Sequence, residues 1–552
     1  MKLAENGRQA NIAAAFASNA HEQMDSLFLK ISWGGAADLH TFGDILSRAY
    51  SYNAHLRQSG LAKGSVIAIV LKHSAELYTA FLGAMMAGLV PTILPFPTPK
   101  QDPEKHWTSH RDLFDLSGIA AVFTYPENIP GIERYLSAQV GYLATPQDVD
   151  LTNMDARIED GELAVLQHSS GTTSLKKGVM LTHTAILNQV RSYSAVLGFD
   201  SRSRIVSWLP LYHDMGFIAC FLMPMVIGSP VSHLDAFAWS AKPTLLLDEI
   251  EAFRGEYVWI PNFAYNHIAN NVRANRQWDL RSLKSLINCS EPCKPSTFET
   301  FRAISGIRNL STNALQVCYA MAENVFAVSQ TDPHSTPRVI CVSNHSFREG
   351  DRIEIVDDTH ADRVEILSCG KVIDGTVARI IDQNGCPYLE EGRVGEIAIT
   401  GSSLYTGYYK RPEITDERLI DGWHRTGDVG FLHDGELFVT GRVDDLLIVR
   451  GKNIYAHEVE DVINALGVVD PGRAVAFTTY SPDKGEAELV VLAESVNQEA
   501  ELAVGKIVRG AVESSFGIPL AHFRLFPPRT LRKTTSGKLS RKDNLELYQG
   551  LQ

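Results

Sequence analysis

A loop of small hydroxyl residues and lysines is the first segment of this 552-residue chain whose composition suggests chemistry. Residues 169–178 read SSGTTSLKKG, so hydroxyl groups, backbone amides beside Gly171 and lysines such as Lys177 offer closely spaced hydrogen-bond donors. These donors suit polyphosphate oxygens, because each reaches the anion without a bulky side chain. The segment is not a Walker A loop, since Leu175 stands where the second glycine of that motif belongs. Taken alone, it is also typical of a polar turn.

Six further motifs follow the loop along the chain. They are WLPLYHDMG at 208–216, NCSEP at 288–292, YAMAE at 319–323, RTGD at 425–428, GRVDD at 441–445 and TSGK at 535–538. In this order and spread the set closely resembles the core motifs of the adenylate-forming superfamily, which includes acyl-CoA synthetases, nonribosomal peptide adenylation domains and luciferases. The resemblance runs from about residue 40 to about residue 545. An ordered set of this kind is far more specific than any one of its motifs.

The resemblance implies a site for ATP and Mg²⁺. Tyr319 can lay its ring on adenine, and Asp428 in its glycine-bearing turn can accept from both ribose hydroxyls. Glu323 can hold Mg²⁺ through one carboxylate oxygen, and Arg442 adds a planar cation. Without the resemblance, Tyr319 would be interpreted as a packed core tyrosine, Glu323 as a surface carboxylate and Asp428 as part of a polar turn. Only the resemblance favours the binding roles.

Three more roles are carried over from the family. The lysine that matches Lys538 reaches across a domain interface to the reacting carboxylate and the α-phosphate. His213 matches a position near the acyl carboxylate and the incoming thiol, and Asp444 matches the hinge about which the C-terminal domain rotates. Without the resemblance these residues suggest a solvated tail lysine, a structural histidine and a solvated loop aspartate.

The predicted site residues form four groups. The catalytic residues are Lys538, His213 and Glu323, and Thr173 accompanies Glu323 as a predicted Mg²⁺ ligand. The residues predicted to contact ATP or AMP are Ser169, Ser170, Gly171, Thr172, Thr173, Lys177, Ser290, Glu291, Pro292, Tyr319, Asp428 and Arg442. The residues predicted to contact the acyl substrate are His213, Met215, Gly216, Ala320 and Met321. No tightly bound organic cofactor is expected.

The segment after Glu323 indicates a branch of the superfamily. Residues 324–367, here called the connecting segment, are longer than the connection expected in ordinary acyl-CoA synthetases. Together with WLPLYHDMG, SCGKVIDG and RGKNIYAHEVE, this length resembles the fatty acyl-AMP ligases, which pass acyl-adenylates to the phosphopantetheine arm of an acyl carrier protein. In that branch the insertion restrains domain rotation. A variable surface loop is the alternative interpretation.

Other functions are compatible with the same motifs. An acyl- or aryl-CoA synthetase would use CoA as the acceptor, and a non-catalytic relative that binds nucleotide or carrier protein would keep only the fold. Ser174 stands where the family loop usually has glycine, and Ala320 replaces a common glycine after Tyr319. These two departures suggest an unusual acid as readily as a long fatty acid.

The elements that must position these residues indicate an α/β fold. Residues 65–71, 74–87 and 91–94 read as strand, helix and strand, which predicts a parallel sheet with covering helices. From about Arg352 short β-rich runs such as RIEIV, VARIID, GEIAIT and ELFVT predict a smaller β-rich module. We therefore expect a large N-terminal domain, residues 1–441, made of two α/β subdomains and a β-rich subdomain. A small mobile α+β C-terminal domain, residues 442–552, should follow a hinge near 442–445.

Composition excludes some partners. The formal net charge of −13 argues against nonspecific nucleic-acid binding, because phosphate neutralisation requires a basic surface. No uncharged apolar run is long enough to predict a membrane span, and the first twenty residues lack the apolar core of a signal peptide. Seven scattered cysteines predict reduced thiols, so we expect a cytoplasmic protein. The sequence leaves the oligomeric state open.

Overall fold

A nine-stranded sheet lies at the centre of the structure, a computed structural model that describes residues 11–33, 36–97, 103–136, 141–168, 177–272, 276–343, 346, 349–360, 363–449, 452–481, 486–496, 501–533 and 539–551. From edge to edge its strands are Lys371–Val372, Ala327–Gln330, Leu315–Ala320, Ser285–Cys289, Tyr257–Ile260, Ile205–Ser207, Val231–Leu234, Leu27–Ser32 and Ala37–Thr41. The six strands from Leu315–Ala320 to Leu27–Ser32 run parallel, and the other three pair antiparallel at the edges.

Burial explains the composition of the central strands. Every residue of Tyr257–Ile260 and Ser285–Cys289 is buried, as expected of parallel strands that are covered on both faces. A second, four-stranded parallel sheet has the order Val90–Ile93, Val66–Val70, Ile119–Thr124 and Tyr142–Ala144. The strands predicted at 65–71 and 91–94 belong to this sheet. The mixed α/β fold class predicted from the sequence is confirmed.

Helices cover both parallel sheets. Local signals mark their ends: Thr41 and Asp44 form a capping box at the start of Phe42–Gln58, and Gly198 adopts a left-handed conformation after His183–Leu197. The α-helices before residue 442 are Ile12–Glu22, Phe42–Gln58, Ala75–Met86, Pro103–Ser117, Ile129–Leu136, His183–Leu197, Met223–Ile227, Ala236–Ala241, Leu245–Phe253, Asn262–Ala269, Pro295–Arg302 and Pro412–Arg418. None of the described helices is long and apolar enough to cross a membrane.

Smaller sheets complete this part of the chain. The β-rich module is a five-stranded antiparallel sheet of Thr376–Ile381, Gly395–Gly401, Leu419–Ile420, Trp423–His433 and Glu436–Arg442. The two-stranded pairs are Leu163–His168 with Gly178–Thr182, Trp278–Asp279 with Ile307–Arg308, and Val339–Ser343 with Arg363–Leu367. The predicted strand RIEIV is an exception, because residues 352 and 355 form only isolated bridges, with Arg393 and Val342.

The chain after Arg442 packs around an apolar core of its own. Its strands are Leu446–Val449, Lys452–Tyr455, Ala474–Ser481, Glu486–Glu494 and Leu520–Phe526, and its helices are Ala456–Ala465, Glu501–Phe516 and Arg541–Gln549. Val459, Val491, Val508 and Phe523 belong to one buried cluster, which is separate from the cluster around the central sheet.

A glycine in the SCG motif closes the junction between the central sheet and the β-rich module. Gly370 has φ +80°, and a Cβ atom built on it would lie 2.1 Å from the carbonyl oxygen of Gln330. Its own carbonyl accepts from the N–H of Leu437 at 2.9 Å. Only glycine combines this backbone conformation with so close an approach.

Gly370→Ala should therefore lower the free energy of unfolding by more than backbone conformation alone explains. Gly385 is the matched control, because its φ is +83° and a Cβ there meets nothing within 4 Å. We expect Gly385→Ala to cost about 1 kcal/mol, from the left-handed conformation, and Gly370→Ala to cost about 2 kcal/mol more, from overpacking. Denaturant unfolding of the two variants measures the difference; equal losses would contradict the steric argument.

Candidate functional site

The parallel strands of the central sheet end at one edge, and three of the predicted motifs lie there. WLPLYHDMG follows Ile205–Ser207, NCSEP contains the end of Ser285–Cys289, and Tyr319 and Ala320 close Leu315–Ala320. The carboxyl ends of parallel strands form the crevice in which open α/β sheets bind ligands. The topology therefore brings together residues that are more than one hundred positions apart in the chain.

A hydrogen-bonded triad joins this edge to the β-rich module. The Tyr319 hydroxyl donates to Oδ2 of Asp428 at 2.6 Å, and Nε of Arg442 lies 3.0 Å from Oδ1 of the same carboxylate. Burial raises the pKa of the Asp428 carboxyl, while the Arg442 guanidinium and the Tyr319 hydroxyl oppose that rise. The triad thus presents an aromatic ring, a carboxylate and a guanidinium side by side.

Glu323 lies on a short 3-10 turn, Ala322–Asn324, just after Tyr319. Its Oε1 accepts from the Tyr408 hydroxyl at 2.7 Å, and no bond to Oε2 is found among the described residues. Lys177 lies close by, with Nζ 5.1 Å from the centre of the Tyr408 ring. Burial lowers the pKa of Lys177, and the charge of Glu323 acts against that shift. A carboxylate and a lysine of the predicted phosphate loop therefore face one region.

The SEP motif turns sharply after its strand. Ser290 has φ +71°, a conformation that serine adopts reluctantly. The Glu291 carboxylate accepts from the backbone N–H of Phe263 at 2.9 Å, which ties this turn to the helix Asn262–Ala269. Pro292 is exposed. These contacts give Ser290 and Glu291 a structural part in shaping the crevice.

The HDMG motif forms the start of a π-helix, Met215–Leu222. Nδ1 of His213 lies 2.6 Å from Oδ1 of Asp214. A Cβ on Gly216 would lie 2.4 Å from the carbonyl oxygen of Pro210, so glycine allows the loop to fold back on itself. Met215 is only 2% exposed and supports the loop from behind.

The other predicted acyl contacts lie at the end of the strand that carries Tyr319. Ala320 and Met321 are both half-buried. The Met321 N–H donates to the carbonyl of Phe326 at 2.8 Å. This bond closes a tight turn around Glu323, within which Val325 has φ +62°.

Some predicted residues lie outside the described part of the chain. They are Lys538 and the loop residues Ser169, Ser170, Gly171, Thr172 and Thr173, together with Ser174. The described residues beside the loop are His168 and Gly178, which pair across an antiparallel hairpin. Lys177 is the predicted loop residue that the structure places.

The predicted hinge residue Asp444 is exposed in a 3-10 turn, Val443–Asp445. The turn follows Arg442 directly, and Nη1 of Arg541 lies 3.1 Å from Oδ1 of Asp445. Lys294, near the SEP motif, forms an ion pair with Asp461 on the far side of this turn. The Lys294–Asp461 ion pair thus joins the chain before the turn to the chain after it, while Asp444 itself is exposed.

Sequence reasoning missed three residues of this region: Tyr405, Tyr408 and His424. All three are buried, and the Tyr408 hydroxyl bonds Glu323 directly. Tyr405 and Tyr408 lie on a connection after the strand Gly395–Gly401 and belong to none of the predicted motifs, whereas His424 lies on the strand Trp423–His433, directly before RTGD. The closest signal in the sequence is Gly407, whose φ of +136° permits the turn before Tyr408.

Comparison with known proteins decides the family. Residues 16–409, well over half of the chain, match the family described as AMP-binding enzyme. This chain belongs to that family. As an AMP-binding enzyme it is an ATP-dependent, AMP-forming ligase, and the predicted place in the adenylate-forming superfamily, nearest to the fatty acyl-AMP ligases, is confirmed.

Relatives of this AMP-binding enzyme include two from mycobacteria. It is 28% identical to the long-chain-fatty-acid AMP ligase FadD32 of Mycolicibacterium smegmatis, over 91% of this chain and 88% of that protein. It is 29% identical to the 4-hydroxyphenylalkanoate adenylyltransferase of Mycobacterium marinum, over 93% of this chain and 86% of that protein.

A solved structure is similar to this chain along nearly its whole length. It comes from work on fatty acyl-adenylate ligases from E. coli and L. pneumophila, and it superposes with a TM-score of 0.88 at 26% identity, covering 98% of both chains. A second similar structure is that of McyG A-PCP with phenylalanyl-adenylate, which has a TM-score of 0.85 at 23% identity. The match covers all of this chain and 84% of that one, and it shows the shared fold.

Asp428→Asn should weaken ATP binding. The substitution removes the charge that pairs with Arg442 and leaves an amide beside the Tyr319 hydroxyl, so we expect the Kd for ATP to rise roughly 10-fold, the size of one lost hydrogen bond to a charged group. Isothermal titration calorimetry measures it. Asp434→Asn is the control, because that carboxylate lies on the same hairpin but is 62% exposed and pairs with Arg338. An unchanged Kd in Asp428→Asn would remove this carboxylate from the nucleotide site.

Proposed function

We propose that this enzyme activates a fatty or related carboxylic acid as acyl-AMP and then transfers the acyl group to the phosphopantetheine thiol of an acyl carrier protein. Formation of acyl-AMP is supported by one observation above all. At the carboxyl edge of the central sheet the fold brings together Tyr319, Glu323, Asp428 and Arg442. The relatives named as fatty-acid AMP ligases support the same chemistry.

The nucleotide would bind across the triad. Tyr319 would stack on adenine, and Asp428 would accept from the ribose hydroxyls while Arg442 neutralises its charge. The turn formed by Ser290, Glu291 and Pro292 would line the same pocket. The loop Ser169–Thr173 with Lys177 would donate to the phosphates.

Glu323 fits the Mg²⁺ that the family implies. Magnesium prefers oxygen ligands and takes few from protein, and Glu323 offers Oε2 while Tyr408 occupies Oε1. Thr173 is the second proposed ligand, from the loop outside the described residues. When bound, the ion would neutralise phosphate charge as pyrophosphate leaves.

In the first step a carboxylate oxygen of the acid attacks the α-phosphorus in line, an acyl–O–P bond forms, and the bond to pyrophosphate breaks. Lys538 would bridge the attacking carboxylate and the α-phosphate, which stabilises charge as it moves. In the second step the thiol sulfur attacks the acyl carbonyl near His213 and AMP leaves. His213, Met215, Gly216, Ala320 and Met321 would surround the acyl end.

A rotation of residues 442–552 against residues 1–441 would separate the two steps. The separate apolar core after Arg442 and the exposed position of Asp444 support a hinge at 442–445. Rotation about Asp444 would withdraw Lys538 and admit the thiol. The ion pair between Lys294 and Asp461 would belong to one of the two positions.

The connecting segment favours a carrier protein over CoA as the acceptor. Its residues Ile340, Val342 and Ile366 share one buried cluster with Tyr455, from the part of the chain after the hinge. Leu446 packs against the same cluster. An apolar contact between the insertion and the first hairpin beyond the hinge restrains rotation, because moving the hairpin would expose this surface to water.

The decisive experiment incubates the enzyme with Mg-ATP and a panel of fatty and hydroxyphenylalkanoic acids, with either CoA or a phosphopantetheinylated carrier protein. Mass spectrometry identifies the products. Acyl-AMP with transfer only to the carrier supports the proposal. Efficient acyl-CoA formation would assign the enzyme to the synthetase branch, and no adenylate from any acid would favour a non-catalytic relative.

Lys538→Ala should lose adenylation but keep thiol transfer. A cation about 4 Å from developing charge contributes about 4 kcal/mol at an effective dielectric of 20, so adenylate formation should fall roughly 1,000-fold. Transfer from preformed acyl-AMP to the carrier should continue. The control is Lys506→Ala, an exposed lysine on the helix Glu501–Phe516. Adenylation at the wild-type rate in Lys538→Ala would contradict the proposal that Lys538 bridges the attacking carboxylate and the α-phosphate.

Loosening the cluster of the connecting segment should increase the use of CoA. Ile340→Ala with Ile366→Ala removes buried methyl groups from the cluster that contains Tyr455, so the restraint on rotation weakens. We expect acyl-CoA formation to rise several-fold while adenylate formation is kept. Val377→Ala, on the strand Thr376–Ile381 and 55% exposed, is the control. If the double variant keeps the same ratio of carrier to CoA products, the segment does not select the acceptor.

A further inference from the structure

The segment 404–409, here called the tyrosine segment, attaches to the hairpin that carries the predicted phosphate loop. The N–H of Met180 donates to the carbonyl of Gly407 at 3.0 Å, and the N–H of Tyr409 donates to the carbonyl of Gly178 at 2.8 Å. The tyrosine segment therefore lies beside the strand Gly178–Thr182 as an additional extended chain. One of these bonds is made to Gly178, the last residue of the predicted phosphate loop.

The tyrosine segment also holds Glu323 at two points. The Tyr405 N–H donates to the Glu323 carbonyl at 2.8 Å, and the Tyr408 hydroxyl donates to Glu323 Oε1 at 2.7 Å. Both the backbone and the carboxylate of Glu323 are thus fixed to one short piece of chain. Tyr408 is itself held, since its N–H donates to Oγ1 of Thr415 at 2.9 Å.

The contacts continue to the strand that carries Asp428. The Tyr405 hydroxyl lies 3.2 Å from Nδ1 of His424, and the ring of Tyr405 packs edge-on against both Tyr408 and His424. Tyr405, Tyr408 and His424 are 3%, 4% and 2% exposed. So little exposure leaves the hydroxyl of Tyr408 no solvent alternative to Glu323.

We propose that Tyr408 is a positioning residue for Glu323, and that Tyr405 and His424 hold Tyr408 in place. This inference rests on the proposed role of Glu323 as the magnesium ligand. A carboxylate that accepts a hydrogen bond at Oε1 keeps a fixed orientation and presents Oε2 to the cation. Partners behind a ligand orient it and tune its affinity for metal.

Lys177 makes this positioning necessary. Its Nζ lies 5.1 Å from the centre of the Tyr408 ring, and the negative charge of Glu323 opposes the lowering of the Lys177 pKa by burial. A Glu323 side chain released from Tyr408 can turn toward that ammonium group, which would satisfy the carboxylate without a metal ion. The hydrogen bond from the Tyr408 hydroxyl holds the Glu323 carboxylate in the orientation that binds the cation, while Lys177 stays near the face of the Tyr408 ring.

The test uses Tyr408→Phe, which keeps the ring under Lys177 and removes only the hydroxyl. Manganese(II) replaces magnesium as a spectroscopic probe, and electron paramagnetic resonance counts free Mn²⁺ in the presence of a non-hydrolysable ATP analogue. We expect Mn²⁺ to bind roughly 10-fold more weakly in the variant. The affinity for the same nucleotide without metal should not change.

Two further variants separate positioning from a general structural role. Tyr409→Phe is the matched control, because the Tyr409 hydroxyl has no hydrogen-bond partner among the described residues. This variant should behave as wild type. Tyr405→Phe should weaken Mn²⁺ binding less than Tyr408→Phe does, because it acts through Tyr408. Thermal unfolding of each variant checks that the fold is kept.

The outcomes distinguish this inference from the proposed function. Wild-type Mn²⁺ affinity in Tyr408→Phe, or an equal loss of metal-free nucleotide binding, would overturn the inference even if wild type forms acyl-AMP. Failure of wild type to form any adenylate, with Mn²⁺ binding still weakened by Tyr408→Phe, would instead overturn the proposed function alone.

Discussion

The hydrogen bond between Tyr319 and Asp428 joins two modules that fold around different strands. Tyr319 ends a parallel strand of the central sheet, and Asp428 lies in the antiparallel β-rich sheet. The site exists only while these sheets are packed together, because neither presents both groups. Arg442 completes the contact and is also the first residue of the proposed hinge, so the proposed nucleotide site and the proposed hinge share one residue.

In the proposed mechanism, packing near this junction would couple chemistry to domain rotation. The insertion after Glu323 contributes to the apolar cluster that contains Tyr455, and the Tyr408 hydroxyl of the tyrosine segment donates to Glu323. In the proposed cycle, Glu323 would stay fixed while the chain after Arg442 rotates. Apolar contact is suited to a restraint of this kind, because its strength follows the buried area and it needs no particular bonding geometry.

Local patterns predicted much of the fold, while the roles of the site residues stay predictions. Short apolar runs at 65–71 and 91–94 became parallel strands, and the helix predicted between them corresponds to Ala75–Met86. RIEIV did not become a strand, because residues 352 and 355 found different partners and no continuous ladder formed. Alternation of side chains indicates a strand but does not supply the neighbour that it must pair with.

The sequence by itself determined the family and the identity of the chemical groups, since ordered motifs survive as residue types at fixed spacing. It could not show that Tyr408 bonds Glu323, because the two residues are 85 positions apart and a buried tyrosine leaves no periodic signal. It also could not show that the connecting segment packs on Tyr455. Both facts depend on long-range packing, and only the tertiary structure decides which of many buried side chains become neighbours.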